Sequence, residues 1–286
     1  MSYGPAPWVQ RSWDVRAVVN FAAGGAGGGL ALAACAFGGA GPRTAAMYAI
    51  AMALVGIGLA AVWAEIGRPW RALNVFLNPR TSWMSREAIA AGGLGLATLA
   101  AVAVLANDSS LAARWAALPV ALFAALFVYC QGRILAAARG IPAWRSPATV
   151  ALIVTTSLAE GAGLWWLAAA FHAQGTRTGL VLFGLLLMAR MAAWLAWRRS
   201  LAGWPRVVEA MAPAGRVLTL AGTLAPLALI AIAASISTEG WVLGLAATAG
   251  ASAALAGVWF KAALILRGAY NQGFAVPKMP VRGVRD

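Results

Sequence analysis

Eight separate apolar runs, most of them close to twenty residues long, set the terms for what this chain can fold into. A bilayer core is crossed by about 20 apolar residues in a helix. Within it, only a helix or a closed barrel satisfies every backbone polar group. The runs lie near 18–40, 45–64, 87–106, 114–134, 147–171, 179–197, 217–236 and 240–260. They show none of the alternation of a strand, so they read as helices. The expected fold class is an all-α integral membrane protein, a bundle of eight transmembrane helices, with 1–286 forming a single membrane domain. Of the 286 residues, 62% are hydrophobic and 10% charged, against roughly 45–50% and 25% in soluble domains. That excludes a soluble enzyme, a disordered chain and a nucleic-acid-binding domain, even though the formal net charge is +14.

The basic residues fall on one side. With an even number of spans both termini share a face. To that face belong Arg11 and Arg16; Arg68, Arg71, Arg80 and Arg86; Arg133, Arg139 and Arg145; Arg198, Arg199, Arg206 and Arg216; and Lys261, Arg267, Lys278, Arg282 and Arg285. The opposite face has only Arg43, Arg114 and Arg177, and Arg190 lies inside the sixth run. Eighteen basic residues against three is a strong positive-inside signal. It predicts that both termini, the loop between the second and third runs, and a tail over 267–286 are cytoplasmic.

Little in the chain suits a bound redox centre. The single histidine, His172, reads as a loop residue and cannot supply bis-histidine haem ligation. Cys35 and Cys130 stand alone inside apolar runs and read as packing residues, so no iron–sulfur cluster, haem or metal site is expected here. In the first run, Gly24/Gly28 and Gly25/Gly29 form small-xxx-small pairs, which predict close helix packing.

Polar residues gather at one level. Glu65, Arg68, Trp70 and Arg71 follow the second run, and Ser85, Arg86 and Glu87 open the third. Tyr129, Gln131 and Arg133 close the fourth, and Asn20 opens the first. Helices that each bring a polar residue to one depth build a pocket between them. There Glu65 and Glu87 would exchange protons with a ligand, the arginines would orient carbonyl oxygens, and Trp70 and Trp83 would supply flat walls. Interfacial anchoring is the competing reading of the tryptophans. Deeper in the membrane, Glu160 and Arg190 sit near the middles of consecutive antiparallel runs, and an intramembrane Glu160–Arg190 pair is expected. Lys261, at the end of the eighth run, reads as a residue that snorkels to the surface. The tail beyond Arg267 is polar, basic and proline-punctuated, and reads either as a docking surface or as a disordered end.

Two stretches carry a resemblance. Gly67-Arg68-Pro69-Trp70-Arg71-Ala72-Leu73-Asn74, followed by Thr81-Ser82-Trp83-Met84-Ser85-Arg86-Glu87, is similar to the membrane-anchor subunits of the dimethyl sulfoxide reductase family, the DmsC-type anchors. The tail, Ala269-Tyr270-Asn271-Gln272-Gly273-Phe274 with Pro280-Val281-Arg282-Gly283, looks like the branch associated with cytoplasmic sulfite-oxidising complexes. The resemblance implies an eight-helix bundle without haem or cluster, in a bacterial cytoplasmic (inner) membrane. It implies that the bundle holds a molybdopterin catalytic subunit and an iron–sulfur subunit and exchanges electrons with ubiquinone or menaquinone; the arginine asymmetry places those partners on the cytoplasmic face, whereas dimethyl sulfoxide reductases of this type face the periplasm. On this resemblance the molybdenum chemistry is expected in the partners, and this chain is expected to be the quinone-reducing subunit of a sulfite:quinone oxidoreductase. The family pattern gives Glu87 a role in quinol binding, while position 65, often histidine in the reductase anchors, is Glu65 here. On this reading Glu87 and Glu65 handle protons, and Arg68, Arg71, Trp83, Ser85 and Tyr129 bind the quinone. Arg80, Arg86, Arg267 and Tyr270 dock partners. An anchor of a dimethyl sulfoxide-type reductase, oxidising quinol, is one alternative. A small-solute or ion transporter, suggested by Glu160 and Arg190, is another.

Overall fold

The computed structural model describes residues 5–66, 68–106, 110–172 and 177–274. Among them, eight helices are long and apolar enough to cross a membrane: α1 (Val15–Phe37), α2 (Pro42–Trp63), α3 (Trp83–Ala106), α4 (Ala112–Ala137), α5 (Pro147–Ala169), α6 (Arg177–Ser200), α7 (Pro205–Ser235) and α8 (Glu239–Leu266). The number expected from the apolar runs is the number found. Two helices begin earlier than hydropathy suggests. α3 starts at Trp83, which brings Ser85 and Arg86 into its first turn. α7 starts at Pro205 as an amphipathic stretch that buries Val207, Met211, Ala214 and Leu218 and exposes Arg206, Glu209 and Arg216. Its inward stripe has the helical period, yet its charged outer face hides it from a search for purely apolar runs.

Two helices carry a π-type turn, α1 at Asn20–Gly24 and α7 at Leu220–Leu224. Such turns widen the regular ladder and concentrate at functional sites. Both lie where a buried side chain meets the helix backbone.

α5 is the centre of the bundle and packs against α1, α4, α6 and α8. Glycines let it do so at backbone distance. A methyl group on Gly161 of α5 would run into the backbone of Gly29 in α1. A methyl on Gly163 would run into that of Gly250 in α8. Gly28 likewise admits Phe127 and Val128 of α4, so the predicted small-residue face of α1 is a packing surface on two sides. Cys35 packs with its sulfur 3.3 Å from the Tyr48 hydroxyl, and Cys130 is buried. The outer surface is apolar, with Leu96, Leu99, Val181 and Leu255 all more than 60% exposed. In a chain with eight spans that is the face turned to lipid tails.

Both described chain ends meet on one side of the bundle. Gln10 N–H donates to the Ala269 carbonyl and Asn271 N–H to the Trp8 carbonyl, each at 3.0 Å, and Phe274 N–H donates to the Pro5 carbonyl at 2.9 Å. The start of the tail is therefore strapped to the N-terminal segment through an antiparallel bridge between Val9 and Tyr270. The remainder, including Pro277 and 280–283, lies outside the described residues, as do Gly67 and the side chain of His172. Between α2 and α3 the loop forms a short 3-10 helix, Pro69–Leu77, which leaves Trp70 86% exposed.

Candidate functional site

The polar residues form three layers along the bundle, starting at the face that holds both chain ends. In the outermost layer Trp83, at the start of α3, stands between two arginines. The Arg86 guanidinium lies 4.0 Å from its ring centre and that of Arg133 lies 4.5 Å away. Tyr129 meets Trp83 edge to face at 5.8 Å and accepts a hydrogen bond of 3.2 Å from Arg133 Nη1. Each cation–π contact contributes about 0.5–2 kcal/mol depending on desolvation, so the group is held more firmly than exposed side chains at a membrane face. Arg86 also donates to the carbonyls of Pro79 and Arg80 at 2.7 Å each, which pins the end of the loop to α3.

Glu65 belongs to a different outer group. Arg16 Nη2 lies 2.8 Å from Asp14 Oδ2 and 3.9 Å from Glu65 Oε1, with these side chains more than a third exposed. Hydrogen bonds from Arg16 hold the Asp14 carboxyl below the usual carboxylate range. The same aspartate caps α1 by accepting from the Arg16 N–H.

One turn further in, Glu87 is 4% exposed. The polar groups facing it are the side chains of Gln131 and Asn20. Gln131 Nε2 donates to the Asn20 backbone carbonyl at 3.0 Å, at the start of the π-type turn of α1. Ser85, also buried, sits beside this layer, and its N–H donates to Ser82 Oγ at 3.3 Å.

The innermost layer is ionic and fully buried. Lys261 Nζ lies 2.6 Å from Glu160 Oε2, and neither side chain is exposed at all. The ammonium also donates to Ser157 Oγ and to the Phe21 carbonyl, each at 2.9 Å. Its three donors therefore have three acceptors. Arg190, equally buried, donates from Nη1 to the Ala253 carbonyl at 3.0 Å and from Nη2 to the Gly222 carbonyl. Each π-type turn thus presents a carbonyl to a buried cation, Phe21 to Lys261 and Gly222 to Arg190. Gly257 leaves room for the Glu160 carboxyl.

The expected Glu160–Arg190 ion pair is replaced by Glu160–Lys261. The reason lies in side-chain direction. A helical Cβ tilts toward the N-terminus of its helix. Lys261, near the C-terminal end of α8, is therefore aimed back into the bundle, and its long stem reaches Glu160 instead of snorkelling outward. Arg190 is as buried as expected, but its hydrogen bonds go to backbone carbonyls.

The structure brings Trp83, Arg86 and Tyr129 into one group and sets Glu87 beneath them in sequence depth on α3. It sets Glu65 apart, with Arg16. Arg68, Arg71 and Arg80 are exposed on the loop. Arg267 lies over Trp259 at 5.6 Å, and Tyr270 joins the strap to the N-terminal segment. Arg133, placed by the sequence at the polar level, meets Tyr129 through their i, i+4 spacing. Ser157 was missed as a site residue and has no signal in the sequence.

A family model described as DMSO reductase anchor subunit (DmsC) matches residues 42–265. No curated protein matches the chain.

Proposed function

Because the chain belongs to the DMSO reductase anchor subunit (DmsC) family, we propose that it is the quinone-reactive membrane subunit of a sulfite:quinone oxidoreductase. Membership carries the coarser role, a multi-pass membrane anchor of a molybdoenzyme complex associated with its catalytic and iron–sulfur subunits. The finer reading assigns the overall reaction sulfite + water + quinone → sulfate + quinol. Molybdopterin and the iron–sulfur clusters belong to the partners, and quinone, ubiquinone or menaquinone, is the substrate exchanged in this chain.

The observation that carries the quinone role is Glu87, a carboxyl buried against Asn20 and Gln131 on the helix that begins with Trp83. A quinone gains two electrons and two protons, so its site needs a group that hands over protons where water is scarce. Trp83 and Tyr129 supply flat walls and Arg133 a donor toward a quinone oxygen. Ser85 completes the polar wall. Glu65 in its exposed group with Arg16 exchanges protons with water, and exposed Arg68 and Arg71 meet either the head group or the iron–sulfur partner. Arg80, Arg86, Arg267 and Tyr270 belong to the docking face. The arginine asymmetry supports a cytoplasmic position for that face and for both termini, in a bacterial inner membrane. The tail sequence supports sulfite as the substrate of the partner.

The test is purification of the tagged chain in mild detergent, followed by sulfite-dependent reduction of a soluble quinone analogue. Activity together with co-purified molybdenum and iron–sulfur subunits supports the reading. Partners that instead oxidise quinol with dimethyl sulfoxide overturn the sulfite assignment in favour of a reductase anchor. Isolation without large partners overturns the complex and restores the transporter reading.

A further inference from the structure

We propose that the buried Lys261–Glu160 pair is a proton reservoir for the quinone site, joined to Glu87 through Gln131 and Asn20. The proposal rests on the quinone reading of Glu87 and extends it to residues one layer deeper.

The first argument is charge. An ionised side chain at bilayer depth costs at least a few kcal/mol, and a purely structural pair needs one cation for each anion. Here Lys261, Arg190 and Glu160, each 0% exposed, place two cations beside one carboxylate. With Lys261 and Arg190 both charged, the set returns to zero when Glu87 is ionised. Four buried groups therefore behave as one unit. With Glu87 protonated the unit carries one positive charge. After it has released two protons, one from Glu87 and one from Lys261, it carries one negative charge. A two-proton exchange thus swings the buried charge symmetrically about zero, the smallest excursion possible.

The second argument is continuity. A Cβ on Gly25 would meet the Lys261 ammonium, the Ser157 hydroxyl and Gln131 Oε1 together. Those three groups converge on one bare Cα. Gln131 in turn holds the Asn20 carbonyl and faces Glu87. Polar groups thus follow one another from Glu87 on α3, by Gln131 on α4 and Asn20 on α1, to Lys261 on α8 and Glu160 on α5. Along this row Glu87 Oε1, Asn20 Oδ1, Gln131 Oε1 and Glu160 Oε1 are buried with no hydrogen-bond partner. Buried polar atoms are usually paired. Four free acceptors so placed are the partners that bridging water needs.

The third argument is chemical identity. Arginine does not give up its proton in proteins, whereas a buried lysine does so readily. Arg190 is the fixed charge and Lys261 the mobile one. In the proposed step two electrons enter the quinone from the iron–sulfur partner. The Glu87 O–H bond breaks as one proton passes to a quinone oxygen. A second proton leaves the Lys261 N–H, is carried by water bridging the free oxygens of Gln131 and Asn20 to the Glu87 carboxylate, and from there reaches the other quinone oxygen. The Lys261 amine, still held by Ser157 and the Phe21 carbonyl, is reprotonated by the same water-bridged row, which draws its proton from water at the basic face. The balance is quinone + 2 electrons + 2 protons → quinol.

The test uses the intact complex and three variants, K261R, E160Q and Q131L. Arginine at 261 keeps the charge and removes the mobile proton. Turnover is measured per assembled complex, together with the rate at which substrate reduces the iron–sulfur clusters. Expected is unchanged cluster reduction, a KM for the quinone analogue near that of the wild type, and a kcat lower by about a hundredfold in K261R, as for loss of a proton-transfer group. Wild-type kcat in assembled K261R overturns the proposal, because charge alone then suffices. Should K261R fail to assemble, wild-type kcat in E160Q and Q131L overturns it equally. If the wild-type complex reduces no quinone, the parent reading has failed. If E87Q is inactive while all three variants turn over normally, only the reservoir has failed.

Discussion

Lys261 Nζ and Glu160 Oε2 meet at 2.6 Å with both side chains wholly buried, although the two residues lie on different helices and Lys261 is only five positions from the end of its own. Removing one partner of such a pair leaves an unpaired charge in a dry interior, which costs about 3–5 kcal/mol. K261M is therefore expected to lower the melting temperature of the detergent-solubilised chain far more than K261M combined with E160Q. A double variant no more stable than K261M alone would show that the two residues are not coupled.

Helix contact at Gly161 is tight enough for a methyl group to matter. G161A pushes a side chain into the Gly29 backbone, and overpacking of this kind costs about 1–3 kcal/mol. G56A meets nothing within 4 Å and should be neutral or slightly stabilising. Thermal denaturation of both variants in the same detergent checks the contrast. Equal melting points would contradict the backbone contact between α1 and α5.

The arginine asymmetry makes a prediction about sidedness. Reporters fused after Asn78 or Gly203 should behave as cytoplasmic, and reporters fused after Gly39 or Ser237 as external. A paired set of alkaline phosphatase and green fluorescent protein fusions reads this directly. The reverse pattern would move the docking face to the other side of the membrane and remove the support for a cytoplasmic sulfite-oxidising partner.

Trp83 is held by two guanidinium groups and an edge-to-face tyrosine. If it forms a wall of the quinone site, W83A raises the KM for a quinone analogue by about tenfold, equivalent to about 1.4 kcal/mol of lost contact. W83F, which retains an aromatic face, keeps most of the affinity. Titration of the analogue against purified complex separates the two, and an unchanged KM in W83A would take Trp83 out of the site.

The number of spans, the clustering of arginines and the presence of a polar level around Glu87 were all legible in the residues. Each depends on composition along a helix, and a bilayer imposes that composition locally: apolar residues must fill its depth, and a buried polar residue stands out against them. The resemblance over 67–87 added the family, which the match over 42–265 then established. The pairing inside the bundle was not legible. Glu160 and Arg190 look like partners because their helices are consecutive, and sequence adjacency says nothing about which faces meet. The choice of Lys261 depended on α8 packing against the centre of α5, on the inward tilt of a side chain near a helix end, and on Gly25 and Gly257 leaving room for the charges. Those are relations between helices distant in sequence, fixed only when the backbones approach. The sequence by itself determined eight helices long and apolar enough to cross a membrane, with most of the basic residues in the segments that share a face with the chain ends. Tertiary packing decided which buried charges face one another, because that depends on distances no single helix contains.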